Sequence, residues 1–157
     1  MLISRDLDSR PTRREVAAVE EWLASSKAVH IMRDHPSHKA AIMAGMWGAA
    51  LALPGARNRW NSTMAAILAD PMSLRGVYGV DQAMLKQHAW SWAKDDSLQH
   101  DSYSCKLFNG TTGFPSQRIK EHENFVGSAV SMPSYNQLWS VCPEDCRREG
   151  HPEWHHC

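Results

Sequence analysis

Ser4-Arg5-Asp6-Leu7-Asp8-Ser9-Arg10, with the apolar lead-in Met1-Leu2-Ile3, decides how this chain is read. The lead-in has the character of a buried strand near its end. Side chains at i and i+2 of an extended segment lie on the same side, so Asp6 and Asp8 are expected to point together from a strand's C-terminal end. Two carboxylates so placed can hold a hard divalent cation and leave positions for phosphate oxygens. Open α/β sheets bind ligands at that edge. An isolated Asp-x-Asp is also a common solvated turn. Arg5 and Arg10, on either side, are suited to meet a phosphate or to orient the acids.

The following segments alternate in a way that predicts an α/β fold. Thr12-Arg13-Arg14-Glu15 after Pro11 is a capping-box pattern. Val16, Val19 and Leu23, widened by Trp22, give the helix behind it an apolar stripe. Ala28–Met32 then reads as the second strand of a β-α-β unit, ending in the loop Arg33-Asp34-His35-Pro36-Ser37-His38. Pro36 keeps His35 extended. Arg33, Asp34, His35 and His38 are therefore expected to wall the same pocket as Asp6 and Asp8, although a solvated polar loop has the same composition. Ile42–Trp47 is a further strand-like run, and Gly45 and Gly48 suit close backbone approach to a ligand. Ala49–Arg57, with Pro54-Gly55, reads as a loop, and Trp60–Leu68 as a helix. Asp81 is placed to cap a helix carrying Met84, Leu85, His88 and Trp92 at helical spacing. Leu98–Ser104 has the pattern of a short strand around His100-Asp101.

At 157 residues the chain is long enough to bury a real core. Lys+Arg and Asp+Glu stand at 17 each, which gives no electrostatic footprint for nucleic acid. No apolar run reaches the length of a membrane span, and no signal-peptide pattern opens the sequence. Nine histidines and seven tryptophans are unusually many, and both residue types favour sites.

Taken in order, Ser4–Arg10, Met32-Arg33-Asp34-His35-Pro36, Gly45-Met46-Trp47-Gly48, Tyr78-Gly79-Val80-Asp81-Gln82 and His100-Asp101 form a series. That series resembles a largely uncharacterised group of GT-A nucleotide-sugar glycosyltransferases, over roughly residues 3 to 127. Ala44 departs from it, standing where the group has the first of two glycines. The resemblance implies a partial GT-A, Rossmann-like mixed sheet with flanking helices over residues 1–130, followed by a Cys/His-rich tail over 131–157. It implies transfer of a sugar from a nucleotide-sugar donor, in most such enzymes a UDP-sugar, to a glycan, protein or small-molecule acceptor, with Mn²⁺ or another divalent cation. Asp6, Asp8 and His100 would hold the metal. Arg5, Arg10, Gly45, Trp47 and Gly48 would meet the donor, Trp47 by stacking on a sugar face. Asp81, Gln82 and Asp34 would stand at the reacting centre, Asp81 being the better candidate for sugar hydroxyls or acceptor activation. In a GT-A fold the base-binding elements precede the Asp-x-Asp, so this chain is expected to be a fragment lacking that half. Phe114–Arg118 and Phe125–Gly127 also match the group.

The tail, with Cys142, Cys146, His151, His155, His156 and Cys157, admits zinc or disulfides, the fourth cysteine being Cys105. The resemblance favours disulfides with undetermined pairing, and a secretory-pathway, Golgi-lumenal or extracellular setting. Two other functions fit parts of the sequence. One is a metal-dependent hydrolase built on Asp34-His35 and His38. The other is a non-catalytic remnant or interaction module.

Overall fold

The computed structural model describes residues 1–118, 125–129 and 140–157. The expected boundary near residue 130 lies outside them. The fold is α/β: a five-stranded mixed sheet in the order β1-β3-β2-β4-β5. The strands are β1 (Leu2–Arg5), β2 (Val29–Arg33), β3 (Met46–Ala49), β4 (Ser97–Asp101) and β5 (Thr111–Thr112). β3 runs antiparallel to both β1 and β2, whereas β4 is parallel to β2 and β5 to β4. β1, β2 and β4 therefore end at one edge of the sheet, where β3 begins.

The helices are α1 (Arg13–Ala24), α2 (Ala56–Ala69), α3 (Val80–His88) and the single turn α4 (Trp90–Ala93). β1-α1-β2 forms the expected unit, and β2 is buried along its whole length, as a central strand covered on both faces must be. Alternation along β2 and β3 splits the core. Val29, Ile31, Trp47 and Ala49 pack with Ala56, Trp60, Leu85 and Ala89 of the α2–α3 side. Met32 and Met46 pack with Ala18, Phe114 and Val126 on the α1 side. Trp22 of α1 stacks on His30 at 5.2 Å and lies against Gly48, whose hypothetical Cβ would be 3.0 Å from the indole.

Several local expectations shift. α2 starts inside the segment read as a loop. The buried face of α1 is Arg14, Glu15, Ala18 and Trp22, while Val16 and Leu23 are each 50% exposed. Half of the capping box forms: Thr12 Oγ1 accepts from Glu15 N at 3.1 Å, while the Glu15 carboxylate pairs with Arg5 instead. Asp81 is not the cap of α3. That position is Gly79 at φ 79°, in the left-handed region, with Asp81 in the first turn.

The tail is stapled to the α/β body. Disulfides join Cys105 to Cys146 and Cys142 to Cys157, so the tail cysteines are paired rather than arranged as zinc ligands. Arg148 reaches back to Glu21 of α1 at 2.8 Å, and Arg118 Nε donates to the Cys157 carbonyl at 2.7 Å.

Candidate functional site

A cavity of about 740 Å³ opens at the strand edge that the chain's first motif reaches. Asp6, directly after β1, forms one wall with Gly45 and Met46 at the start of β3. Ser37 and His38 come from the loop after β2, and Val77–Gln82 from the approach to α3. The Asp6 carboxylate lies flat on Gly45, so close that a Cβ at that position would overlap its oxygens. Glycine at 45 is thus a condition for the carboxylate's position. Ser4 Oγ donates to the Ala44 carbonyl at 2.7 Å, locking the two segments together. Ala44 packs against the core and also lines the cavity.

Asp6 and Asp8 do not project from one extended strand. The strand stops at Arg5, Leu7-Asp8 is a turn, and Ser9 N donates back to the Asp6 carbonyl at 3.2 Å. The turn is braced by Arg5, which donates to Ser9 O and Oγ at 3.2 Å and pairs with Glu15, so Arg5 is engaged within the loop. Arg10 is exposed after the turn, outside the set of cavity-lining residues. The acids nevertheless act on one another. The Asp6 carboxyl is held above the ordinary carboxylate range, first by partial burial and then by the negative charges of Asp8 and Asp81, with Arg5 opposing. Asp81 and Gln82 both line the cavity, and Asp81 Oδ1 accepts from Gln82 N at 2.8 Å.

The remaining expected site residues lie elsewhere. Asp34 is fully buried, taking Arg14 Nε at 2.9 Å, Arg14 Nη2 at 3.0 Å, Val126 N at 2.9 Å and the Ser102 hydroxyl. Four donors converging on one carboxylate leave it a structural ion pair, and the expected catalytic role does not fit that position. Arg33 is likewise internal, donating to Asp101, Gln99 and the Ala41 carbonyl at 2.6 Å each. Trp47 stacks on Trp60 at 4.5 Å in the core, not on a ligand face. Gly48 makes room for Trp22, not for a donor.

His100 needs the largest correction. Its Nδ1 meets His30 Nε2 at 2.8 Å and its Nε2 meets Glu21 Oε2 at 3.1 Å, on the α1 side of the sheet. Both ring nitrogens are therefore committed to protein partners, and the ring cannot also complete a metal sphere at Asp6. The set closes on Arg148, which donates to both Glu21 oxygens. His38 lines the cavity, but its Nδ1 accepts from Asp34 N at 3.3 Å. Asp34, the carboxylate of the Asp34-His35-x-x-His38 cluster, is itself bound by Arg14 and so is not placed to serve a hydrolytic zinc. Among the described residues no group of three or more His, Cys, Asp or Glu side chains is arranged to hold a metal by itself.

Burial keeps these imidazoles neutral. It lowers His30 to about 2 and His38 to about 4, and it lowers His100 as well, while the His100 hydrogen bond and Arg148 lower Glu21 to about 2. A histidine whose folded pKa is depressed contributes stability that is complete above its unfolded value and is lost as pH falls below it. Thermal unfolding should therefore be pH-independent near 7 and move down in temperature from about pH 6.5. His30 alone should cost roughly 2 kcal/mol by pH 5. Glu21 adds the same sign below its ordinary range. A flat profile from pH 7 to 5 would contradict the buried neutral pair.

The cavity also has residues that the motifs did not single out as ligand-facing: Tyr78, Val77, Met43, Met46 and Gly127. Tyr78, Met46 and Gly127 lay inside the motif segments with no contact assigned, and Val77 and Met43 carried no signal. Comparison of this chain with protein-family models, with curated proteins and with solved structures finds no match.

Proposed function

We propose that this chain is a metal-dependent sugar transferase of GT-A type, taking its donor as a nucleotide diphospho-sugar at the cavity between Asp6 and Asp81. One observation carries the reading: a glycine-cradled carboxylate at the C-terminal edge of a β-α-β unit shares a cavity of ligand size with a second carboxylate, near enough to feel its charge. Among the described residues no helix is long and apolar enough to cross a membrane. The two disulfides support an oxidising setting such as the secretory pathway or the cell exterior.

The residues present suit a hard cation. The donors are carboxylate oxygens, their mutual repulsion is relieved by positive charge, and the absence of a Cβ at Gly45 gives the Asp6 carboxylate its seat. Magnesium-like ions commonly take one or two carboxylates and complete their sphere with water and substrate phosphates, so a third protein ligand is not required. Asp6 would hold the ion, with Asp8 adding its charge from the turn outside the cavity lining, and when bound the ion supplies charge neutralisation at a diphosphate leaving group. The protein's own residues do the rest. Asp6 and Asp81 exclude an anionic donor that lacks a cation. Asp81, in the first turn of α3, would meet sugar hydroxyls, its Oδ1 also accepting from Gln82 N. His38, neutral at physiological pH, offers a weakly basic wall rather than a charge.

The experiment is calorimetric titration with Mn²⁺, alone and with UDP. Binding of UDP should require Mn²⁺, and Gly45→Ala should weaken Mn²⁺ about tenfold, roughly 1.4 kcal/mol, by pushing the Asp6 carboxylate from its seat. His100→Gln should leave Mn²⁺ affinity within about twofold in chains that remain folded. UDP binding that ignores Mn²⁺, or a Gly45→Ala chain with unaltered affinity, would overturn the reading.

A further inference from the structure

We infer that the same cavity takes a neutral carbohydrate as its second ligand, with Tyr78 presenting its ring as the platform on which one pyranose stacks; this rests on the transferase reading and narrows its acceptor. Tyr78 is 99% exposed, yet it lines the cavity. A tyrosine in the lining of a ligand-sized cleft, with almost none of its side chain covered by protein, leaves its ring accessible to whatever the cleft binds.

The backbone beneath it is braced. Val80 N donates to the Val77 carbonyl at 3.2 Å, closing the turn that carries Tyr78 and Gly79 into α3. The preceding 3-10 turn, Pro71–Leu74, is capped by Asp70, whose carboxylate accepts from Met72 N at 2.9 Å. The same carboxylate takes Gln87 Nε2 at 3.0 Å and His88 Nε2 at 2.9 Å, both from α3. The loop is thus tied to the helix that also carries Asp81. The ring is displayed from a fixed support.

The surroundings select the chemistry of what stacks there. Asp81 follows Tyr78 by three residues and lines the same cavity, and Asp6 lies close enough for its charge to be felt. Carboxylates penalise an anion as the second ligand. They also penalise a wholly apolar one, since burying them without hydrogen-bond donors is costly. A sugar answers both demands: its hydroxyls donate to carboxylate oxygens, and its C–H face lies on an aromatic ring. Ser37 and the neutral His38 add hydrogen-bonding groups on the opposite wall without adding charge.

The test is saturation-transfer NMR on the folded chain, without metal, using a panel of neutral methyl glycosides and their disaccharides. At least one should bind, with affinity reduced about tenfold or more by Tyr78→Ala and retained within about twofold by Tyr78→Trp. Tyr78→Ala should leave the unfolding temperature and the Mn²⁺ affinity unchanged, because the ring buries almost no surface of its own protein. Saccharide binding that survives Tyr78→Ala, or no binding to any member of the panel, would overturn the inference. So would Tyr78-dependent binding of uridine in place of sugars, which would make the ring a base platform. Saccharide binding in a chain that ignores Mn²⁺ and UDP would keep this inference and sink the transferase reading.

Discussion

Arg14→Leu is expected to remove about 3–5 kcal/mol of stability, a large part of what a domain of this size has to lose. The substitution keeps the helix and removes only the guanidinium. Asp34 would remain fully buried with the Ser102 hydroxyl and Val126 N, its two Arg14 bonds gone. An uncompensated carboxylate in the interior is the costly state, more so than the absence of the pair. Arg14 also donates to the Ser116 carbonyl and lies 4.2 Å over the Phe114 ring, so its loss loosens the segment that closes this side of the core. Urea unfolding at constant m-value measures the change. Arg14→Leu combined with Asp34→Leu should recover much of the loss, since both charges then leave together. A single variant within about 1 kcal/mol of the parent chain would return Asp34 to the candidates for chemistry.

Asp6→Asn should have the largest effect on binding and the opposite effect on the fold. Removing this carboxylate is expected to weaken Mn²⁺ by at least about 100-fold, roughly 2.7 kcal/mol, and to abolish Mn²⁺-dependent UDP binding with it. The metal-free chain, by contrast, should be no less stable than its parent. Burial, Asp8 and Asp81 raise the Asp6 pKa, and a carboxyl with a raised folded pKa favours the folded state below its unfolded value and disfavours it as pH rises through the folded one. At neutral pH the charge is therefore a burden on the fold that a bound cation relieves. The same sign makes Mn²⁺ affinity fall as pH drops, starting above the ordinary aspartate range of about 3.9. Calorimetry and thermal unfolding on one preparation separate the two effects. A variant that is destabilised yet binds Mn²⁺ normally would show Asp6 to be scaffold.

What the sequence determined by itself was local and periodic. The Ala28–Met32 run marked β2, the apolar run around Trp47 marked β3, and the Thr12–Glu15 pattern marked the start of α1. Asp6, Gly45 and Asp81, which the motif series named together, line a common cavity. Those signals are legible because strand and helix repeats need only a few neighbouring residues. The burial of the other polar motif residues was decided by the tertiary structure. Nothing near Asp34 in the chain announces Arg14, twenty positions away, and nothing near His100 announces His30 or Glu21. Trp47 and Gly48 met the same fate through Trp60 and Trp22. An acid or imidazole at a strand end has the same local pattern whether it faces a cleft or the interior. Which it does depends on whether a distant side chain supplies the hydrogen bonds that make burial tolerable. α1 turned Arg14 inward for that reason and buried Trp22 of its apolar stripe, while Val16 and Leu23 of the same stripe were left outside.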